Sequence, residues 1–465
     1  MAKHSLLAKS LLFVILFVCI REHHAYVPPS ATVEPLHPVG LRISIPDEQG
    51  ITLVAFHVQF NKDFDGLEAG QIAKDILKVR NGRWTYQDRR TQLRKDDIIY
   101  YWIHVVYQGL GYNLIDQSHR VTDFYNYDGS QHIMDTVQSE NCTTKSATWI
   151  FDNGNRRQPC PHQLLFEDSF DKLDDAKWKL LQSFTGAPDY EFVVYMTNDV
   201  TDASDGLLRI KPILTNTKFG TNFVTRGTII LEGCTGEVGT SECQRQAAGS
   251  YILPPVISGY LDTKGKFEFL FGRIEVRAKL PRGDWVYPVI TLTSAENTWE
   301  FGLHREIRIA SSPGNEELRS PEGADINGRT LSAGALVASV NESDVSSSNR
   351  LQLPKRSSRE LWSDNFHVFE IEWKSGLIVM KVDGVQYGEQ NVDNSFGKPS
   401  YLTLAVAVGG IHEFPDLVTS SGYVKPWRNV EAKAMYKFYR AKDSWYPTWD
   451  TRTALQVDYV KVWAL

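Results

Sequence analysis

Apolar and β-branched side chains return every second residue along much of this chain, and no long run keeps the 3.6-residue period of a helix. That confines it to β-architecture. Leu41 to Ile45 is strand-like, and Thr52, Val54, Phe56 and Val58 alternate with Leu53, Ala55 and His57. Ile98 to Val106 is a further β-branched and aromatic run. Later, Ile274, Val276, Ala278 and Leu280 alternate with Arg273, Glu275, Arg277 and Lys279, the pattern of a half-buried strand. Ile378 to Val382 and Val385 to Tyr387 flank Asp383-Gly384, a strong hairpin signal.

The chain has 465 residues, more than one sandwich uses, so two or three domains are expected. Between about Asp123 and Pro161 the alternation gives way to Asn, Asp and Gly, which reads as a linker. The expected organisation is a leader over 1–25, a sandwich over 26–125, a linker over 126–162 and a larger β-domain over 163–465. A net charge of −6 gives no basic footprint for nucleic acid.

Lys3 and Lys9, the apolar run Leu11 to Ile20 and the small residue Ala25 have the pattern of a cleaved secretory signal. The run falls short of the roughly 20 residues that span a bilayer, so no membrane anchor is expected. Removal of the leader takes Cys19 with it and leaves Cys142, Cys160, Cys234 and Cys243. An even set in an oxidising compartment reads as two disulfides with three connectivities open. The simplest joins the close pairs, Cys142 with Cys160 and Cys234 with Cys243. No Cys-x-x-Cys spacing or paired His calls for a metal, and no cofactor is expected. Asn141-Cys142-Thr143 and Asn341-Glu342-Ser343 are glycosylation sequons.

Several segments resemble glycoside hydrolase family 16, the laminarinase-type β-jelly roll, over roughly Leu164 to Leu465. They include Leu165-Phe166-Glu167-Asp168, Arg277 to Trp285, Phe366-His367-Val368-Phe369-Glu370, Val382-Asp383-Gly384, Ala407-Val408-Gly409-Gly410 and Val457 to Val462. Hydrolysis of a glycosidic bond ordinarily needs two carboxyl groups about 5–5.5 Å apart for retention. In that family they stand on a strand reading Glu-Ile-Asp-Ile-x-Glu, where alternation and one bulge aim three acids into a cleft. Placed in register through Gly314-Asn315, the resemblance puts Glu306 at the nucleophile position, Arg308 at the orienting Asp and Ser311 at the acid/base Glu. A serine hydroxyl is no general acid near neutral pH. Arg308, two residues from Glu306 on the same face, is expected to pair with it. Thr291 stands where the pattern expects a second Trp. A vestigial site follows, with His304, Glu296 or Glu300 as the remaining sources of an acid.

The front of the chain resembles carbohydrate-binding module family 39. The matching segments are Gly40 to Asp47, Phe56-His57, Asp65 to Gly70, Gly82-Arg83-Trp84-Thr85-Tyr86, Asp97 to Trp102 and Gly109-Leu110-Gly111-Tyr112. A module of that kind before a family 16-like domain is the arrangement of insect β-1,3-glucan recognition proteins, also called Gram-negative bacteria-binding proteins. The resemblance implies an immunoglobulin-like sandwich followed by a concanavalin-like jelly roll, and a secreted haemolymph receptor for β-1,3-glucan or other microbial surface material. It also implies an extracellular serine-protease cascade as partner and self-association on the polysaccharide. Trp84 and Tyr86, two apart with Asp88 and Arg89 following, are the expected stacking site, with Asp47 and Asp75 as hydroxyl acceptors. The competing expectations are an active endo-β-1,3-glucanase using Glu306 and a protease-recruiting scaffold without glucan affinity.

Overall fold

In the computed structural model, the described residues are 26–37, 39–127, 129, 131–132, 142–152, 155–296, 303–339 and 352–465. The leader over 1–25, Asn141, Asn341 and Glu300 lie outside them. The chain divides into two compact units, Met1–Met134 and Asp135–Leu465.

The first unit is a seven-stranded sandwich. Its strands are β1 (Thr32–Pro35), β2 (Leu41–Pro46), β3 (Ile51–Phe60), β4 (Ile72–Ile76), β5 (Arg83–Gln87), β6 (Ile98–Tyr107) and β7 (Leu110–Arg120). One sheet has the order β1-β2-β5 and the other β4-β3-β6-β7. The period-two pattern explains the packing: Leu41, Ile43 and Ile45 of β2 meet Val54, Phe56 and Val58 of β3 and Ile99, Ile103 and Val105 of β6 in one core. Each such side chain stabilises the fold by about 1.5–3 kcal/mol relative to exposure.

The second unit packs a ten-stranded sheet against an eight-stranded one. Its core interleaves Ile290, Leu292, Ile307, Leu402 and Leu404 of the first with Ile274, Val276, Phe369, Ile371 and Val460 of the second. The chain is all-β, two sandwiches, with helices of seven residues or fewer among the described residues. The expected hairpin pairs Leu377–Val382 with Val385–Asn391, closing at Val382↔Val385. Asp383 and Gly384 both take positive φ, +51° and +72°, the two left-handed residues that a tight hairpin of native twist requires.

Two expectations are corrected. Part of the stretch 126–162 is no linker: Trp149–Asp152 and Asn155–Arg157 form a hairpin that joins the ten-stranded sheet through Glu268–Leu270. Ser146 Oγ also donates to the carbonyl of Leu465 at 2.9 Å, and the Leu465 amide to Thr148 Oγ1 at 3.0 Å. Polar composition concealed an edge hairpin. The strand Gly272–Lys279 is buried on both faces, not one, because Glu275 and Arg277 are themselves covered. Glu275 faces Glu370 across the strands, and Arg277 pairs with Asp458.

Both disulfides join the close pairs, Cys142–Cys160 and Cys234–Cys243. The second braces an excursion that carries its own small core of Phe184, Val194, Ile229, Leu231, Leu253 and Ile257. Within it, Thr228–Ile230 and Gln244–Gln246 form a two-stranded ribbon.

Candidate functional site

Trp84 does not face solvent. Its position in β5, opposite Ile45, turns the indole inward, where it is 5 % exposed and part of the sandwich core. The expected exposed platform is therefore overturned. The flanking charges that argued for exposure belong to the alternate positions and the following loop, not to the face that Trp84 shares. Its Nε1 reaches the edge of the core and donates to Asp47 Oδ1 at 2.8 Å, so a buried Trp holds an exposed carboxylate in place.

Tyr86 lies on the same inward face, half-buried, and its hydroxyl donates to Asp88 Oδ2 at 2.8 Å. Burial and then Asp88 push its pKa up. Asp88 organises its own loop: its carboxylate also accepts from the amides of Arg90 and Thr91, each at 2.7 Å, and from Thr91 Oγ1. The Arg89 guanidinium sits 4.5 Å above the Tyr127 ring. Asp75 is exposed on β4, opposite Ala55 in the four-stranded sheet, whereas Asp47, Tyr86 and Asp88 gather at the three-stranded one.

The outward face of that three-stranded sheet carries a polar lattice that the sequence reading passed over. Arg83 Nε donates to Ser44 Oγ at 2.9 Å, its Nη2 to Thr32 Oγ1 at 2.8 Å, and Arg42 Nε to Glu34 Oε2 at 2.6 Å. Thr85 and Gln87 complete the row opposite Ser44 and Arg42. The signal was present in the alternation: Arg42 and Ser44 interleave with Leu41, Ile43 and Ile45.

In the second unit, Glu306, Arg308 and Ser311 stand on the strand Leu303–Ser311. Ile307 and Ile309 point into the core, and the register against Thr330–Ser339 shifts between Arg308 and Ser311. That irregularity brings Ser311 to the face of Glu306 and Arg308. The three line a cleft of ≈ 220 Å³ whose walls include Tyr260, Tyr287 and Tyr401, with Asp189 and Glu191 at its side. Thr291 is buried and lines it too.

Arg308 links the polar groups of the cleft wall. Its Nε donates to Glu306 Oε1 at 2.9 Å and its Nη1 to Ser311 Oγ at 3.2 Å. A further carboxylate was missed by sequence reasoning: Glu413, from the loop after the strand Ser400–Val408, accepts from Arg308 Nη1 at 2.9 Å and from Ser311 Oγ at 3.3 Å. Burial disfavours the Arg308 charge, but Glu413 and then Glu306 more than offset it, and its pKa is raised. His304 Nε2 lies 3.7 Å from Glu306 Oε2. Glu296 is exposed and pairs with Lys398 at 3.5 Å, away from the cleft lining. Trp285, of the Gly283-Asp284-Trp285 segment, is fully buried and bonded to Tyr423. One buried guanidinium thus joins Glu306 of the cleft to Glu413 behind it, so neither carboxylate stands free of a cation.

The first unit is thus a small β-sandwich with a polar outward face, and the second a larger two-sheet sandwich whose cleft carries a buried, doubly paired arginine. The carbohydrate-binding model CBM39, described as "Carbohydrate binding domain (family 32)", matches residues 27–143. Beta-1,3-glucan-binding protein 1 of Galleria mellonella is 34% identical, with 97% of each chain covered. Beta-1,3-glucan-binding protein of Tenebrio molitor is 35% identical over 98% of this chain and 99% of its own. Gram-negative bacteria-binding protein 3 of Drosophila melanogaster is 32% identical over 98% and 97%. The chain belongs to the family of β-1,3-glucan-binding and Gram-negative bacteria-binding proteins. Among solved structures, the endo-beta-1,3-glucanase of Pyrococcus furiosus is similar at 21% identity, covering 68% of this chain and 97% of that one, with a TM-score of 0.42.

Proposed function

We propose that this chain is a secreted innate-immunity receptor that binds microbial β-1,3-glucan and does not hydrolyse it. The observation that carries the second half is Arg308. A guanidinium bonded to both Glu306 and Glu413 occupies an oxygen of each, and a general acid must have its proton free for the leaving oxygen before it can act. It also occupies space beside the nucleophile position. The first half is supported by the match to a carbohydrate-binding model and by the names of the relatives.

In the front module, the glucan hydroxyls meet the outward face of Thr32, Arg83 and Thr85, with Asp47 at its end and Ser44 buried beneath Arg83 as its anchor. Trp84 acts through Asp47 by positioning it. Tyr86, Asp88 and Arg89 shape the adjoining loop, and Asp75 is a separate acceptor on the other sheet. Binding then presents the chain to an extracellular serine protease, and many copies on one polysaccharide raise local concentration without new contacts.

Glu413 favours one second reading, an endo-β-1,3-glucanase with Glu306 and Glu413 as its pair. Sedimentation with curdlan and reducing-end release from laminarin, on the same samples, separate the two. Retention without sugar release is the expected result. Release that disappears in both Glu306→Gln and Glu413→Gln overturns the receptor reading.

A further inference from the structure

In the ribbon of the disulfide-braced excursion, the outer edge of Thr228–Ile230 is open among the described residues. Leu231 donates its amide to Cys243 at 2.9 Å and Ala247 donates to Gly227 at 3.0 Å, so residues 227, 229 and 231 face the partner strand. In an antiparallel pair the intervening residues turn their N–H and C=O the other way. For Thr228 and Ile230, no described residue takes those outward groups. They run along a groove of ≈ 280 Å³ lined by residues 228–232 and completed by Gln182, Met196, Asn198, Lys218 and Phe219.

The strand is short, three residues, but it lacks the Pro, Lys or inward charge that otherwise blunts such an edge, and residues 231–232 extend its groove. The edge is also held ready. Ile229 and Leu231 are buried in the local core, Cys234–Cys243 closes the ribbon's end, and Gln182 Nε2 bonds the carbonyl of Glu232. Ile230 is 66% exposed and Phe219 38%.

We propose that this groove receives an extended peptide segment of a partner protein as a third strand on Thr228–Ile230. The open N–H and C=O pairs, two residues apart, match the donor–acceptor repeat of a β-strand. A polysaccharide does not present that repeat. Ile230 calls for an apolar or β-branched side chain beside it on the added strand. Glu232, exposed at one end while Lys218 is already paired with Asp199, favours a basic residue there. The inference does not depend on glucan binding.

The test selects random twelve-residue peptides displayed on phage against the immobilised full-length protein, then measures the synthesised winners by fluorescence polarisation. The expected winners alternate apolar residues and protect the Thr228 and Ile230 amides from hydrogen exchange. Ile230→Pro removes only the outward N–H, which an edge strand tolerates. It is expected to weaken binding at least tenfold, and Ile230→Thr, which keeps the N–H, by less. Methylating the peptide's own edge-facing amides is expected to abolish binding to the unaltered protein, a result independent of how the variants fold. Curdlan retention of both variants is expected to stay unchanged, which separates this site from the glucan reading. The proposal is overturned by a library that yields no binder, by winners that protect other amides, or by affinity that survives both Ile230→Pro and peptide methylation.

Discussion

Replacing Arg308 by Met isolates the charge lock in the glucanase-like cleft. Arg308 is 6% exposed, and its guanidinium makes charge-assisted bonds of 2.9 Å to each of two glutamates. Met keeps the length and apolar stem but removes the cation, leaving Glu306 and Glu413 facing each other's charge in a poorly hydrated site. Removing one member of a buried ion pair costs about 3–5 kcal/mol, most of it the penalty of the charge left behind. Two carboxylates share the loss here, so Arg308→Met is expected to lie at the upper end. Arg308→Met/Glu306→Gln/Glu413→Gln is expected to recover most of it, because no uncompensated charge remains. Urea unfolding followed by tryptophan fluorescence, on all three proteins at one pH and salt, gives the shifts in midpoint. If Arg308→Met loses less than about 1 kcal/mol, as exposed pairs do, the cation is solvated and the lock does not exist.

Three further outcomes follow from two buried groups elsewhere. Burial and then Glu370 raise the Glu275 pKa to about 7, above its value in an unfolded chain. The folded state therefore binds the extra proton between about pH 4.5 and 7, and the contribution from Glu275 is complete below that window and lost as pH rises through it. Glu275→Gln is expected to flatten the pH dependence of thermal unfolding across that window; an unchanged slope refutes the assignment. In the front module, Trp84→Ala is expected to destabilise the sandwich by about 3–5 kcal/mol, because it empties a core position. Trp84→Phe keeps most of the bulk and releases only Asp47, so curdlan retention should fall while near-ultraviolet circular dichroism stays native-like. Retention by Trp84→Phe equal to that of the unaltered chain removes Asp47 positioning from the binding account.

How much of this was readable beforehand depended on range. Period-two alternation located β2, β3 and β6, and Asp383-Gly384 marked a hairpin, because strand faces and tight turns are set by residues one to three apart. The same local rule placed Glu306 and Arg308 on one face and anticipated their ion pair, and short spacing was enough to pair the cysteines. What alternation could not supply was which face met the core. Trp84 and Tyr86 were correctly put together and wrongly turned outward, since burial is decided by the opposing sheet and not by neighbours along β5. Glu413 stands 105 positions from Arg308, and Glu370 stands 95 from Glu275; only the folded sheets bring those pairs into contact. Local sequence determined the strands and the face-sharing of the cleft residues. Tertiary packing decided that the cleft wall carries a guanidinium between two carboxylates, because a charge buried among distant segments takes its partner from whichever loop the fold delivers to it.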